Sequence, residues 1–217
     1  MAQKRMVLLG APGVGKGTQA KKLQEVFNLA HISTGDMLRD AVRQGTDSGI
    51  KAKEYMEKGE LVPDDLIIDL VDERLGKDDC QEGFILDGFP RTVIQAEKLD
   101  MLLRKRGIGL DDVVTIDVPN EAIILRLSKR RVCDTCGYVL ESDEANPGDP
   151  CPKCGEGTVI RRKDDGPESV RRRLEVYDEK TRSLIQYYDG RRLLKTVDGT
   201  GSPATIFDRL VGTLGLA

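Results

Sequence analysis

Apolar and polar positions change period block by block along this chain. Residues 6–9 are an unbroken apolar run, short enough for a strand buried on both faces. Residues 18–27 then carry Ala20, Leu23 and Phe27 at helical spacing. Residues 30–33 form a short extended piece. Thr34 reads as the N-cap of a helix to about Gln44, with Asp36 in its first turn. Residues 45–48 break the pattern, and 48–58 form another helix. After a turn at 59–63, Asp64 or Asp65 opens a helix with Leu66, Ile67, Leu70, Val71 and Leu75 on or near one face. Residues 83–87 read as a buried strand ending in a carboxylate. A helix over 92–106, a strand over 112–118 and a helix over 121–131 follow. The pattern closes with a long helix over 169–188, a strand over 193–197 and a helix over 203–214. This alternation predicts an α/β fold, a central parallel sheet flanked by helices, with ligands at the carboxyl ends of the strands. Two stretches depart from it. Residues 34–62 are short, polar and helical. Residues 132–166 are rich in Gly, Pro, Asp and Cys and show little helix or strand period.

The first strand runs into Gly10-Ala-Pro-Gly13-Val14-Gly15-Lys16-Gly17-Thr18. This is a P-loop pattern with one glycine inserted between the lysine and the hydroxyl residue. Glycines let backbone N–H groups approach phosphate oxygens that a side chain would hold off. The following helix presents its positive end to the same anion. Lys16 reaches the outer phosphates, and Thr18 lies near Mg²⁺. A plain Gly-rich turn accounts for the glycines. It does not account for the lysine, the hydroxyl and the strand-before, helix-after context together.

With 217 residues the chain can build one sizeable core and small inserted modules. A net charge of −3 gives no ground for non-specific nucleic-acid or membrane binding. No apolar run approaches the roughly 20 residues of a membrane span. The opening Met-Ala-Gln-Lys-Arg lacks a signal-peptide pattern, so the chain reads as cytoplasmic. Without Trp, and with four Phe and five Tyr, its core must be mainly aliphatic.

Five cysteines in a cytosolic chain point to metal or thiol chemistry over disulfides. Cys133-x-x-Cys136 and Cys151-x-x-Cys154 are separated by 14 residues, and a glycine follows each pair directly. Two such knuckles supply four thiolates to a tetrahedral Zn²⁺. No coordination position then stays open, so the metal is structural, a staple for a segment poor in apolar residues. Iron and cobalt also accept thiolates, and disulfides or free thiols are the alternative. Cys80 stands alone as a small packing residue.

Arginines crowd both flanks of this module: Arg126, Arg130 and Arg131 before it, Arg161, Arg162, Arg171, Arg172 and Arg173 after it. Arg126 and Arg130 are spaced i,i+4 on one helix face. Guanidinium groups bind phosphate bidentately, although a solvated surface charge is the alternative for any one of them. His31, the only histidine, has no evident partner and reads as structural rather than as a general base. A phosphate nucleophile is already anionic and needs no base. Catalysis then reduces to positioning and charge neutralisation by Lys, Arg and Mg²⁺.

Taken together, these motifs resemble the adenylate kinase family over the whole length. The resemblance is carried by the P-loop, by Ile32-Ser-Thr-Gly-Asp-Met-Leu-Arg39 and by Leu86-Asp-Gly-Phe-Pro-Arg-Thr92. Arg162-Lys-Asp-Asp165 and Val197-Asp-Gly199 also fit. The Cys₄ ribbon is similar to the zinc-bearing lid of some bacterial members. The resemblance implies a P-loop nucleotide kinase with a core (1–32, 63–128 and 167–217), a small helical AMP-binding insertion (33–62) and a zinc-ribbon lid (129–166). It implies reversible transfer from Mg-ATP to AMP giving two ADP, by a monomer without nucleic-acid or membrane partners. Gly13, Val14, Gly15, Lys16, Gly17 and Thr18 would hold the ATP phosphates. Tyr138 and Val139 would lie where the lid nears the ATP base. Thr34, Arg39, the backbone of Glu60, Leu61 and Val62, then Gly88, Phe89, Pro90, Arg91 and Gln95 would hold AMP, with Gln95 reading the adenine edge. Arg126 and Arg130 would reach ATP phosphates, Arg162 and Arg173 would bridge both nucleotides, and Asp87 would anchor Mg²⁺ through water. The loop 198–203 is one residue longer than the commoner family pattern and has Gly-Ser where a longer side chain is frequent. The ATP base contact there falls to backbone at Gly201.

Mobile parts also follow from chemistry, because a kinase must exclude water from the transferred group. Gly35, Gly45, Gly59 and Gly166 are candidate hinge or turn positions, or simple C-caps. Two other classes remain open on the residues alone. A GTP-binding switch lacks an Asn-Lys-x-Asp stretch here and leaves a second anion site unexplained. A zinc-ribbon nucleic-acid binder suits the local arginines but not the net charge or the P-loop.

Overall fold

The computed structural model describes residues 4–216. Met1–Gln3, part of the N-terminus read above as free of a signal peptide, and Ala217 lie outside the described residues. Strands β1 (Arg5–Leu9), β2 (Ala30–Ser33), β3 (Phe84–Asp87), β4 (Asp112–Asp117) and β8 (Leu194–Asp198) form a parallel sheet in the order β2-β3-β1-β4-β8. Helices cover both faces, which explains the unbroken apolar strands. In β1, Val7 and Leu9 enter one core layer, and Met6 and Leu8 enter the other. On the first face α4 (Asp64–Leu75), α5 (Val93–Lys105) and α8 (Ser183–Asp189) contribute Val71, Leu99 and Tyr188. On the second, α1 (Lys16–Phe27) and α9 (Pro203–Leu214) contribute Leu23 and Leu210. Leu8 and Ser33 both pair with Asp87, so β1, β2 and β3 end almost level.

Two groups of elements stand off this sheet. Between β2 and α4 the chain makes α2 (Thr34–Gln44) and α3 (Asp47–Lys58). They cross so closely that a Cβ on Gly49 would stand 2.1 Å from the Ala41 carbonyl oxygen, and only glycine fits. Between α6 (Asn120–Lys129) and α7 (Pro167–Val176), strands β5 (Arg131–Cys133), β6 (Val139–Leu140) and β7 (Val159–Ile160) form a small antiparallel sheet in the order β6-β5-β7.

Local structure departs from the sequence reading at several points. Ser33, not Thr34, caps α2, because Ser33 is still extended and its hydroxyl accepts from the Asp36 N–H at 3.3 Å. Helix α6 stops at Lys129, two residues short of the expected Arg131, since Arg130 takes an extended conformation (φ −59°, ψ 132°). Arg126 and Arg130 therefore do not share a helix face. The segment 132–166 does contain strands, each of two or three residues and too short to show a period. The long closing helix is interrupted by a π-helical turn at Tyr177–Thr181. Gly45 and Gly59 are left-handed C-caps of α2 and α3, whereas Gly35 lies within α2 and Gly166 is extended before α7.

Asp112 ties three segments of the sheet at its amino end, accepting from Lys4 at 2.6 Å and pairing with Lys195 at 2.7 Å. Burial alone would raise its pKa, but hydrogen bonds from Lys195 and Lys4 hold the carboxyl below its ordinary value. The unfolded chain then binds the proton first. This stability is present above about pH 4 and is lost as pH falls through the folded value. Asp112→Asn is expected to cost about 1–2 kcal/mol at pH 7. Its deficit against the parent should narrow at pH 3 in urea melts; a deficit that widens in acid contradicts the pairing.

Candidate active site

The site forms where the level ends of β1, β2 and β3 meet the start of α1. Gly10 turns the chain at φ +135°, where a Cβ would stand 2.7 Å from the Ile116 carbonyl oxygen. Gly15, at φ +104°, precedes α1, and no side chain caps that helix. Its first-turn residues Lys16, Gly17 and Thr18 line a cleft of about 720 Å³, leaving their amide N–H groups to an anion. Lys16 folds its Nζ onto the carbonyls of Gly10 (2.7 Å) and Ala11 (2.9 Å). Burial lowers its pKa to about 8; Asp87 opposes this, while Arg91, Arg173 and Arg130 add to it.

Arginines from four elements converge on the same cleft. Arg91 donates from Nε to the Gly88 carbonyl at 2.7 Å. Burial, reinforced by Arg173, pushes its pKa down to about 10. Burial and then Arg39 do the same to Arg162, also to about 10, and both stay charged at neutral pH. Carboxylates pair with Arg39, Arg130, Arg162 and Arg173. Arg130 grips Asp165 with two hydrogen bonds, of 2.8 and 2.5 Å. Arg173 pairs with Asp164 at 2.9 Å and with Asp165 at 3.5 Å. Asp36 lies 2.5 Å from Arg39 and 3.7 Å from Arg162. Burial alone would raise Asp36, but Arg39 and Arg162 bring it to about 2.

Oxygen donors for a divalent ion sit beside the P-loop. A Cβ on Gly17 would lie 3.2 Å from Asp87 Oδ2, so this carboxylate abuts the first turn of α1 next to Thr18. Burial would raise Asp87, yet the His31 hydrogen bond and the Lys16 charge hold it below its ordinary value. A hard-oxygen pair of this kind fits Mg²⁺. His31 does have a partner, contrary to the sequence reading: its Nε2 lies 3.4 Å from Asp87 Oδ2. A strand neighbour two positions across the sheet could not be found from linear spacing.

A second recess of about 80 Å³ adjoins the cleft, sharing Gly35, Arg39, Leu61, Gly88, Arg91 and Arg173 with it. Thr34, Glu60, Val62 and Gln95 complete its wall, with Leu38, Met56 and Ile67 as an apolar floor that the sequence reading missed. Thr34 donates to the Gly88 carbonyl at 3.0 Å, which fixes that corner. Gln95 already accepts from the Arg91 N–H at 2.7 Å and donates to Asp64 at 2.6 Å. One N–H and one lone pair of its amide remain for a ligand. Phe89 does not line the recess; its side chain is fully buried in the core. Glu60 turns its carboxylate to Arg172 at 2.7 Å.

At the other end, Gly137, Tyr138, Val139 and Gly201 line the cleft. Arg126 lines the same cleft and donates to the carbonyls of Val14 (3.3 Å) and Gly199 (2.9 Å), so bridging the P-loop to the loop 198–203. The carboxylates Asp36, Asp164 and Asp165 were overlooked as arginine partners. The i,i+3 spacing of Asp36 and Arg39 was the available clue for the first.

The four ribbon cysteines bring their sulfurs within 4.8 Å of one another. Cys133–Cys154 and Cys136–Cys151 are 3.7 and 3.8 Å apart. A tetrahedron with Zn–S bonds of about 2.3 Å has edges of about 3.8 Å, so the set fits zinc. Backbone N–H groups of Thr135 and Cys136 donate to Cys133 Sγ and that of Lys153 to Cys151 Sγ, each at 3.4 Å, as thiolates favour. Cys80 is buried, with Arg74 Nη1 at 3.0 Å from its sulfur.

A family model described as Adenylate kinase matches residues 8–193. The chain is 48% identical over 213 residues to an adenylate kinase of Agathobacter rectalis, covering 97% of this chain and 99% of that protein. It is 49% identical over 213 residues to one of Thermoanaerobacter pseudethanolicus, covering 97% and 98%. With one of Thermodesulfovibrio yellowstonii it shares 49% over 212 residues, again 97% and 98%.

Cys151→Ala should abolish the single bound zinc, measured by atomic emission, and lower the melting temperature by several degrees, with activity at low temperature largely kept. Retention of one zinc per chain would rule out the four-thiolate site. Lys16 should regain its proton when a polyphosphate binds. Calorimetry at pH 8.5 in buffers of different ionisation enthalpy is expected to report proton uptake, and enthalpies that ignore the buffer would contradict it.

Proposed function

This chain belongs to the adenylate kinase family, and from that premise we propose how its residues divide the reversible transfer of a phosphoryl group from Mg-ATP to AMP. Residues 33–62 form the AMP insertion, 129–166 the lid, and the remainder the core. The P-loop amides from Gly13 to Thr18 and the Lys16 ammonium hold the ATP phosphates. Arg39 and Arg91 hold the AMP phosphate, with Thr34, the 60–62 backbone and Gln95 around its nucleoside. Arg130, Arg162 and Arg173 lie between the two. The observation that carries this reading is the convergence of Lys16, Arg39, Arg91, Arg130, Arg162 and Arg173 on one cleft with a second recess beside the P-loop.

Incoming phosphates would compete with Asp36, Asp164 and Asp165 for Arg39, Arg130, Arg162 and Arg173. The AMP phosphate oxygen then attacks the γ-phosphorus in line; the new P–O bond forms as the bond to the β,γ-bridging oxygen breaks, leaving two ADP. The nucleophile arrives deprotonated, so no general base is required, and His31 stays with Asp87. Asp87 and Thr18 would hold the Mg²⁺, which when bound neutralises charge on the β- and γ-phosphate oxygens. Arg126, anchored on the carbonyls of Val14 and Gly199, shapes the pocket for the ATP base beside Gly201, Tyr138 and Val139.

Nucleotides are its partners. We infer a cytoplasmic monomer without nucleic-acid or membrane ligands, consistent with the net charge of −3. No helix of the described residues is long and apolar enough to cross a membrane. A coupled assay with Mg-ATP and AMP, GMP, CMP or UMP tests acceptor choice, with AMP expected to be strongly preferred. Lys16→Ala and Arg91→Ala should each lower turnover by roughly 10²-fold or more with the fold intact by circular dichroism. Equal turnover in either variant would remove that residue from the mechanism.

A further inference from the structure

The first knuckle of the ribbon, Cys133-Asp-Thr-Cys136-Gly137, is gripped from two sides by cations: Lys21, on the wall of the cleft, and Arg43, which lines neither the cleft nor the recess. Lys21 of α1 donates from Nζ to the Gly137 carbonyl at 2.7 Å and approaches the Cys136 carbonyl at 3.4 Å. Arg43, near the end of α2, donates from Nη1 to the Asp134 carbonyl at 3.0 Å. These donors belong to different bodies: α1 begins in the P-loop, and α2 carries Thr34 and Arg39. The knuckle belongs to a third. Its carbonyls point outward because its amides point inward, those of Thr135 and Cys136 onto Cys133 Sγ. The loop is thus a stiff block of acceptors, delivered together when the lid is down. The second knuckle adds Lys153, whose Nζ meets Glu25 of α1 at 3.1 Å and lies 5.5 Å from the centroid of the Tyr138 ring at the cleft mouth.

Resting on the reading of 129–166 as a lid, we propose that Lys21 and Arg43 are positioning residues for phosphoryl transfer. They latch the knuckle against α1 and α2 and set the closure equilibrium through the knuckle carbonyls. Both bonds require the closed lid; with the lid open Lys21 would be hydrated, while Arg43 would keep only its pair with Asp40, at 2.8 Å on the same helix. Charge-assisted bonds to carbonyls contribute more than neutral ones, and surface exposure reduces that advantage. A ligand that binds only the closed form has its apparent affinity scaled by the closed fraction.

The test uses Lys21→Met, Arg43→Met, the double variant and Lys21→Arg in the full zinc-loaded chain. Lid-to-core distances are read by single-molecule FRET with labels on unnatural amino acids, leaving the cysteines untouched. Each Met variant is expected to shift the ATP-bound population toward open. Each should raise KM for ATP about three- to tenfold with kcat unchanged or raised, because lid opening commonly limits turnover. Zinc content and melting temperature should stay at parent values, and Lys21→Arg should restore both closure and KM. Unchanged closure in both single variants, or a fall in kcat at constant KM, overturns the latch. If the parent fails to form ADP from ATP and AMP, the kinase reading itself falls, a result distinct from either.

Discussion

Burial of several cations at one cleft is the constraint around which this molecule is built. Lys16, Arg91, Arg162 and Arg173 all have their pKa values lowered, in each case first by burial and then by neighbouring cations. Such a cluster is costly when no anion is present. Asp36, Asp164 and Asp165 reduce that cost by pairing with Arg39, Arg130, Arg162 and Arg173. Phosphates do so better, because each brings more charge and more acceptor oxygens. Binding and catalysis therefore draw on one source: the cations are already gathered where negative charge must be tolerated.

The sheet makes that gathering possible. Strands β1, β2 and β3 end level, so the P-loop, Ser33-Thr34 and Asp87-Gly88 reach the same plane although Gly10 and Asp87 are 77 positions apart in the chain. Apolar side chains pack both faces and keep these ends rigid. The arginines, by contrast, come from elements around the sheet. Arg39 lies on α2, Arg91 follows β3, Arg130 follows α6, Arg162 precedes α7 and Arg173 lies on it. A charge cluster assembled from several elements depends on how those elements pack, not on any one of them.

The ribbon serves the same purpose by different means. Its three short strands bury few apolar groups, and its four sulfurs stand at tetrahedral spacing for a metal. A segment with so little core could not otherwise present its carbonyls to Lys21 and Arg43 as a fixed set. Stiffness in the lid lets weak surface contacts at its knuckle act together.

Much of this was legible in the linear chain because it depends on local chemistry. Glycine spacing, a lysine and a hydroxyl between strand and helix define a phosphate cradle wherever they occur, and paired Cys-x-x-Cys knuckles define a four-thiolate site. Unbroken apolar runs mark the inner strands β1, β3 and β4, which are buried on both faces, whereas the edge strands β2 and β8 carry polar residues and show no such run. What the chain could not disclose were relations between distant residues. His31 meets Asp87 on the neighbouring strand, Gln95 is shared between Arg91 and Asp64, and Arg126 donates to two carbonyls. The end of α6 was misplaced for the same reason: nothing near Arg130 in sequence breaks a helix, and the acceptor that receives it, Asp165, is 35 residues away. Local pattern determines which chemical groups are present; only packing decides which of them face one another, because hydrogen bonds and charges act across space and not along the chain.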